Sequence, residues 1–371
     1  MKDSNFTDVV ILAGGFGERL WPASTPEFPK QFMAFADGIS FLQNAVIRAL
    51  AVEPSGKILI ISRPEICAEL TKQVEALKEK VSEQQKKKIE NDLYVIAEPC
   101  SRHTCPPLLL ACKFLELAEK KEHLILVLTS DQVISPLENF VSDCKKAADF
   151  AHQGKFVCFA IPPYEPSTGF GYINMGESLD SEDSVLKIAS FKEKPDLETA
   201  KVYLASGKYA WNSGMFGFSN LLFESEIKKY ESEMYETFKI FDTAEFPKIK
   251  LLNSIKYIEN WQPLNEAYSS VKSIAVDNAV AERTQNAVCV KASFSWDDVG
   301  SWDSFEKYFE QGEEEFISVE SGGNFVYSDM PVALCGVQDL IVVVKNGKIL
   351  VMKKGASSSI RDVVKKFKEK Q

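Results

Sequence analysis

Apolar positions in this chain cluster into short blocks. Five of them, at 8–12 (DVVIL), 57–62 (KILIIS), 93–97 (LYVIA), 124–129 (LILVLT) and 155–161 (KFVCFAI), are nearly continuous rather than alternating. Continuous runs of this length are strands buried on both faces, as in a parallel sheet. The intervening stretches are helix-compatible: Ser40 is placed to cap a helix through Leu50, and Pro64 suits the first turn of the next. The alternation predicts an α/β fold with helices covering a sheet.

Beyond about residue 160 the pattern changes. A Pro/Gly/Ser loop (PPYEPSTGFG), hairpin-like strands and a mixed helical region at 219–272 read as an insertion forming one wall of a cleft. After Gln311 the chain is β-rich again, with Asn346-Gly347 as a hairpin turn and a basic, helix-like tail. Two domains are expected, 1–311 and 312–371.

Composition narrows the function classes. The chain has 371 residues, 45% hydrophobic and 26% charged, with a net charge of −10, so it can bury a large core but offers no basic footprint for nucleic acid or an anionic membrane. Lys86-Lys87-Lys88 reads as a solvated helical face. Eight cysteines lie scattered without CxxC pairs, which fits reduced thiols, and no apolar run approaches a membrane span. The N-terminus lacks the apolar region of a secretion signal, and a cytoplasmic location is expected.

The chemistry concentrates in DVVILAGGFGERLWPASTPEFPKQFMAF, residues 8–35. A strand runs into Gly14, Gly15 and Gly17, whose bare backbone lets N–H groups approach an anion, and Arg19 and Lys30 add positive charge. A polyphosphate is the natural guest. The dinucleotide fingerprint fails because its third glycine would fall at Leu20, and no Gly-Lys-Ser/Thr follows for a P-loop. Polar residues just after a strand are candidates for ligand contact, which singles out Ser130 and Asp131 after LILVLT. Asp131 could equally be a helix N-cap. Asp297 and Asp298, in SFSWDDVGSW, could bind a cation or simply make a turn.

AGGFGERLWP followed by FPKQF resembles the signature of nucleotide-sugar pyrophosphorylases, specifically the mannose-1-phosphate guanylyltransferases. Further ordered matches are EPCSRHTCPP at 98–107, FGYIN at 170–174, FKEKPD at 191–196, WNSGMFGF at 211–218, VDNAVAER at 276–283 and W-x-D-x-G-x-W at 296–302, so the resemblance covers about 8–310. It implies a Rossmann-like nucleotidyltransferase domain with a mainly parallel mixed sheet, its nucleotide half about 1–160 and its sugar-phosphate half about 161–311. To this is added a small C-terminal β-rich, β-helix-like appendage. At this length the additional isomerase domain of longer bifunctional relatives is not expected.

Residue by residue, the resemblance implies catalytic roles for Arg19, Lys30 and Lys194. It implies nucleotide contacts from Leu12, Ala13, Gly14, Gly15, Gly17, Glu98, Arg102, Thr104 and Ser130, and sugar-phosphate contacts from Gly171, Glu193, Lys194 and Asn212. Asp131 and Asp298 would bind Mg²⁺, with Asp297 left open. Departures from the family pattern are Phe16, Ser101, His103, Gln132 and Arg283. The implied reaction takes GTP and mannose 1-phosphate to GDP-mannose and pyrophosphate. The attacking phosphate is already anionic near neutral pH, so a chain with only His103, His123 and His152 loses nothing by lacking a histidine base. Another hexose or heptose 1-phosphate, another nucleoside triphosphate, and a catalytically weak regulatory homologue are the alternatives; a homodimer is one oligomeric state left open.

Overall fold

The computed structural model describes residues 5–15, 17–309 and 316–369. Phe16 and the expected 311/312 boundary lie outside the described residues. By packing, the chain divides into two compact units that are not contiguous in sequence. The first holds the residues up to Gly14, Ala45–Ser130 and Ile134–Trp296; the second holds Gly15–Asn44, Asp131–Val133 and the residues from Asp297 onward.

The first unit is built on one mixed sheet. Its strands are β1 (Asp8–Leu12), β2 (Ile58–Ser62), β3 (Leu93–Ala97), β4 (Leu124–Thr129), β5 (Phe156–Ile161), β6 (Tyr172–Ser178), β7 (Val185–Lys192), β8 (Tyr209–Ser219), β9 (Lys250–Leu252), β10 (Ile255–Ile258) and β11 (Ala287–Lys291). The order is β9-β10-β3-β2-β1-β4-β8-β5-β11-β7-β6. From β10 to β4 all neighbours are parallel. The near-continuous apolar runs of β1 to β4 are thus buried on both faces, as their lack of alternation requires. β8 runs antiparallel to both β4 and β5 and makes the sheet mixed.

Region 219–272, expected as part of an insertion forming one wall of a cleft, packs into the main core. Helices Asn220–Tyr230 and Ser232–Phe238 join the same core as the buried helix Cys105–Ala118. The β9–β10 hairpin then extends the sheet beyond β3. Its turn, Asn253-Ser254, has positive φ at both residues (47° and 61°), a conformation Asn tolerates and a hairpin requires. A buried Lys113 ties this region together, donating to Glu224 at 2.8 Å and Asp242 at 3.1 Å.

Ser40 caps its helix in a reciprocal box with Gln43, as predicted: Ser40 Oγ accepts from the Gln43 N–H and Gln43 Oε1 from the Ser40 N–H. Thr104 does not cap. The helix it precedes carries prolines at 106 and 107, so the amides a cap would satisfy are missing, and the Thr104 hydroxyl instead accepts from the Val276 N–H at 2.9 Å. His123 is structural too, sealed against Asp8 at 2.7 Å at the amino end of β1. All eight cysteines are free thiols, and burial pushes Cys67 up to about 12, which makes it inert.

In the second unit, strands Ile317–Val319 and Ala333–Cys335 pair in parallel, as do Phe325–Ser328 and Leu340–Lys345; Lys348–Lys353 closes antiparallel. Ile317 meets Ala333, Gly322 meets Gln338 and Phe325 meets Ile341. The constant offset of sixteen is the mark of a coil winding in parallel turns, a β-helix-like device. One apolar cluster joins the strands Phe325–Ser328, Leu340–Lys345 and Lys348–Lys353 to Leu20, Met33, Phe41, Val299 and Trp302. The tail is the helix Ile360–Lys368, which buries Ile360 and Val364 in that cluster and keeps Lys365 and Lys366 outside.

Candidate active site

The second unit gathers Arg19, Lys30, Asp131 and Asp298. Gly17 makes this approach feasible: its φ is +56°, and a Cβ there would stand 2.6 Å from the Lys30 backbone nitrogen. Lys30 begins a short 3-10 turn behind Pro29, which presets its entry. The Lys30 ammonium lies 3.3 Å from Asp131 Oδ2, donates to the Asp298 carbonyl oxygen, and sits 4.9 Å from the centre of the Phe41 ring. Its side chain is 6% exposed against 45% for Asp131, so the lysine is locked while the carboxylate keeps open lone pairs. Arg19 Nη1 stands 3.8 Å from Asp298 Oδ2.

Asp297 and Asp298 separate cleanly. Asp297 accepts from the Val299 N–H at 2.7 Å, the Ser304 hydroxyl at 2.9 Å and the Tyr308 hydroxyl at 3.0 Å, so it makes the turn. Asp298 faces the cations. Burial pushes its carboxyl above the usual carboxylate range; Lys30 opposes that shift and Asp131 reinforces it. A divalent cation suits such a site, because it would take over the charge balance of two carboxylates now held by a lysine and an arginine. Among the described residues no group of three or more His, Cys, Asp or Glu could hold a metal. Asp131 and Asp298 offer only oxygen donors, the kind a hard divalent cation takes.

In the first unit, the carboxyl ends of β1, β2 and β4 are stitched together. The Ser130 N–H donates to Leu12 O at 3.2 Å, and Ala13 donates to Ile61 O and accepts from the Ser62 hydroxyl. Leu12, Ala13 and Ser130 therefore spend these backbone groups on the scaffold. Glu98 is buried after β3 with its Oε2 accepting from the Tyr268 hydroxyl at 3.1 Å, and burial raises its carboxyl to about 7. Arg102 donates to the Tyr268 carbonyl at 2.9 Å. Tyr268, which no sequence pattern singles out, thus anchors both. His103 adopts φ 61°, a conformation in which histidine is enriched among non-glycine residues.

Gly171, Glu193, Lys194 and Asn212 form a third group, also within the first unit. Gly171 lies so close to Glu193 that a Cβ would meet Glu193 Oε2 at 2.5 Å. Glu193 pairs with Lys194, whose side chain is 61% exposed. Asn212 is buried; its Nδ2 donates to Asp277 Oδ1 at 2.8 Å, and its backbone N–H donates to Gly171 O. Asp277 opens a π-helical turn, and burial, then the nearby Glu193, raises its carboxyl to about 6. It stands in VDNAVAER, the segment in which Arg283 departs from the family pattern. Arg283 pairs with Glu231 at 2.9 Å.

No helix among the described residues is long and apolar enough to cross a membrane. Residues 8–315 match the nucleotidyl transferase family model, and residues 314–367 match a MannoseP isomerase/GMP-like β-helix domain. A mannose-1-phosphate guanylyltransferase of Escherichia coli is 35% identical over 97% of this chain and 73% of its own length. ManC of Salmonella typhimurium, with the same activity in its name, is 33% identical over 97% of this chain and 72% of its own. A crystal structure from Thermus thermophilus, described as a mannose-1-phosphate geranyltransferase, superposes with a TM-score of 0.77 at 26% identity, covering 98% of this chain and 99% of that one. With its signature loop, its paired aspartates and its β-helix-like coil in this order, the chain belongs to the nucleotidyl transferase family, among the mannose-1-phosphate guanylyltransferases.

Proposed function

We propose that this enzyme transfers GMP from GTP to mannose 1-phosphate, releasing pyrophosphate. The observation that carries the reading is the Arg19, Lys30, Asp131 and Asp298 group, in which two fixed cations and two carboxylates lie within one packed unit. A phosphate oxygen of the sugar phosphate forms a bond to the α-phosphorus, and the bond from that phosphorus to the α–β bridging oxygen breaks. Both partners are anionic, so the barrier is one of charge and alignment rather than of proton removal. Arg19 and Lys30 neutralise charge on the triphosphate and the departing pyrophosphate. Mg²⁺ held by Asp131 and Asp298 would add charge neutralisation on phosphate oxygens.

Lys194 holds the attacking phosphate, while Glu193 and Asn212 take sugar hydroxyls. The exposed Lys194 ammonium suits a dianion arriving from solvent, since its present partner is a single neighbouring carboxylate. Glu98, Arg102 and Thr104 belong to the nucleobase end. Of these, Glu98 carries the chemistry, because a buried carboxylate accepts from the N1–H and N2–H₂ edge of guanine, whereas Arg102 and Thr104 are committed to backbone partners.

The test is pyrophosphate release from a panel of nucleoside triphosphates with mannose 1-phosphate and glucose 1-phosphate, with and without a chelator. GTP with mannose 1-phosphate is expected to be preferred, and chelation to abolish release. Release with a different pair would keep the chemistry and overturn the substrates, and silence across the panel would overturn the reading.

A further inference from the structure

The Asn346-Gly347 turn does more than reverse a hairpin. Asn346 and Gly347 have φ of 54° and 66°, the pair of positive values a two-residue turn between Leu340–Lys345 and Lys348–Lys353 needs. Glycine would serve that conformation equally well at 346, so the turn alone does not call for a side chain. The Asn346 carboxamide, however, reaches across to the glycine-loop segment. Its Nδ2 donates to Pro22 O at 2.9 Å and lies 3.5 Å from Ala23 O. Two carbonyl oxygens on one side fix the amide orientation, because its own oxygen there would face two acceptors.

Two more contacts hold the same segment within the second unit. Trp302 Nε1, four residues after Asp298, donates to Trp21 O at 2.9 Å. The Phe367 ring from the terminal helix lies 5.1 Å from that of Trp21. The backbone oxygens of Trp21, Pro22 and Ala23 are thus held from the β-helix-like coil and from the Asp298 motif. The residue immediately before this segment, Leu20, is buried in the shared apolar cluster, and Arg19 precedes it.

We propose that Asn346 is a positioning residue for the nucleotidyl transfer: it fixes the 19–24 segment so that the Arg19 guanidinium is presented toward the triphosphate. The coil is then part of the catalytic apparatus and not an appendage. This rests on the assignment of Arg19 to the triphosphate made above. A guanidinium that must meet developing charge loses effect steeply with displacement, so a loosened segment lowers turnover before it lowers sugar binding.

The test uses the full chain. Asn346→Gly retains the turn and removes the amide; Asn346→Asp retains the turn and sets a carboxylate against two carbonyls; Phe367→Ala removes the ring contact at a partly exposed position. Both 346 variants are expected to lower kcat about tenfold or more, with the KM for the sugar phosphate unchanged. Hydrogen exchange of the peptide spanning 19–24, which includes the Ser24 N–H bonded to Leu20 O, should accelerate in all three variants. The exchange measurement does not depend on substrate identity, so it decides the contact even if the wild-type enzyme were silent in the substrate panel. Unchanged exchange would overturn the proposal outright. Faster exchange with wild-type kcat would overturn the positioning role.

Discussion

A single lysine and a single aspartate divide the chemistry proposed for this enzyme. Asp298 sits among cations, and its carboxyl is held above the usual range by burial, so replacing it should remove charge balance without removing a fold-supporting contact. Asp298→Asn is expected to lower kcat by about two orders of magnitude with the thermal midpoint nearly unchanged. Lys194→Ala should chiefly raise the KM for the sugar phosphate, because its ammonium is exposed and carries no packing. Steady-state kinetics with both substrates varied separates the two outcomes; an effect of Lys194→Ala on the nucleotide alone would move that lysine to the other substrate.

His123 makes one contribution to the pH dependence of stability. His123 Nδ1 faces Asp8 Oδ2 at 2.7 Å and its Nε2 faces Glu119 O at 3.0 Å, so both ring nitrogens meet acceptors and the ring is best served as imidazolium. Burial works against that charge, but the Asp8 and Glu119 bonds outweigh it and the folded-state pKa is raised. A raised histidine contributes stability that is complete below its unfolded value near about 6.5 and is lost as pH rises through the folded value. Urea unfolding should therefore show this contribution to stability falling as pH rises above about 6.5. His123→Asn should flatten that slope, and an unchanged slope would discard the explanation.

At the scale of elements, Lys113 is the clearest case of an interaction whose removal and replacement differ. Its ammonium lies on the buried helix Cys105–Ala118 and meets Glu224 on the helix Asn220–Tyr230 and Asp242 on the following 3-10 turn. Lys113→Met leaves Glu224 with its charge buried, at a cost of about 3 kcal/mol. Lys113→Met with Glu224→Leu should recover most of that, since an apolar pair suits the site nearly as well. Denaturant midpoints of the single and double variants check this; equal losses in both would show that packing rather than charge holds the three elements.

Element by element, the strands that sequence alone could place are those with no choice. β1 to β4 are apolar throughout because both faces are covered, and this leaves a readable trace. The β9–β10 hairpin is shorter and mixed in polarity, so it disappears into its helical surroundings; Asn253-Ser254 was the local sign of its turn. Thr104 takes a partner that no local pattern announces. It has the right residue type for a cap, but the prolines behind it remove the donors, and the hydroxyl finds a partner distant in sequence at Val276.

For the molecule as a whole, what the sequence determined was chemistry that local spacing encodes. Glycines before an arginine and a lysine, carboxylates just past apolar strands, and ordered motifs over 8–310 identify the family, the kinds of substrate to expect and most of the residues worth testing. Tertiary structure decided the assignments that depend on who else arrives at the same place. It separated Asp298 from Asp297, paired Arg283 with Glu231, and brought Tyr268 to Glu98 and Asp277 to Asn212. It also set Asn346 against Pro22, more than three hundred residues earlier in the chain. The physical reason is common to all of these: a polar side chain's role is settled by the partner that satisfies it once water is excluded, and those partners are distant in sequence or share a local pattern that does not distinguish them.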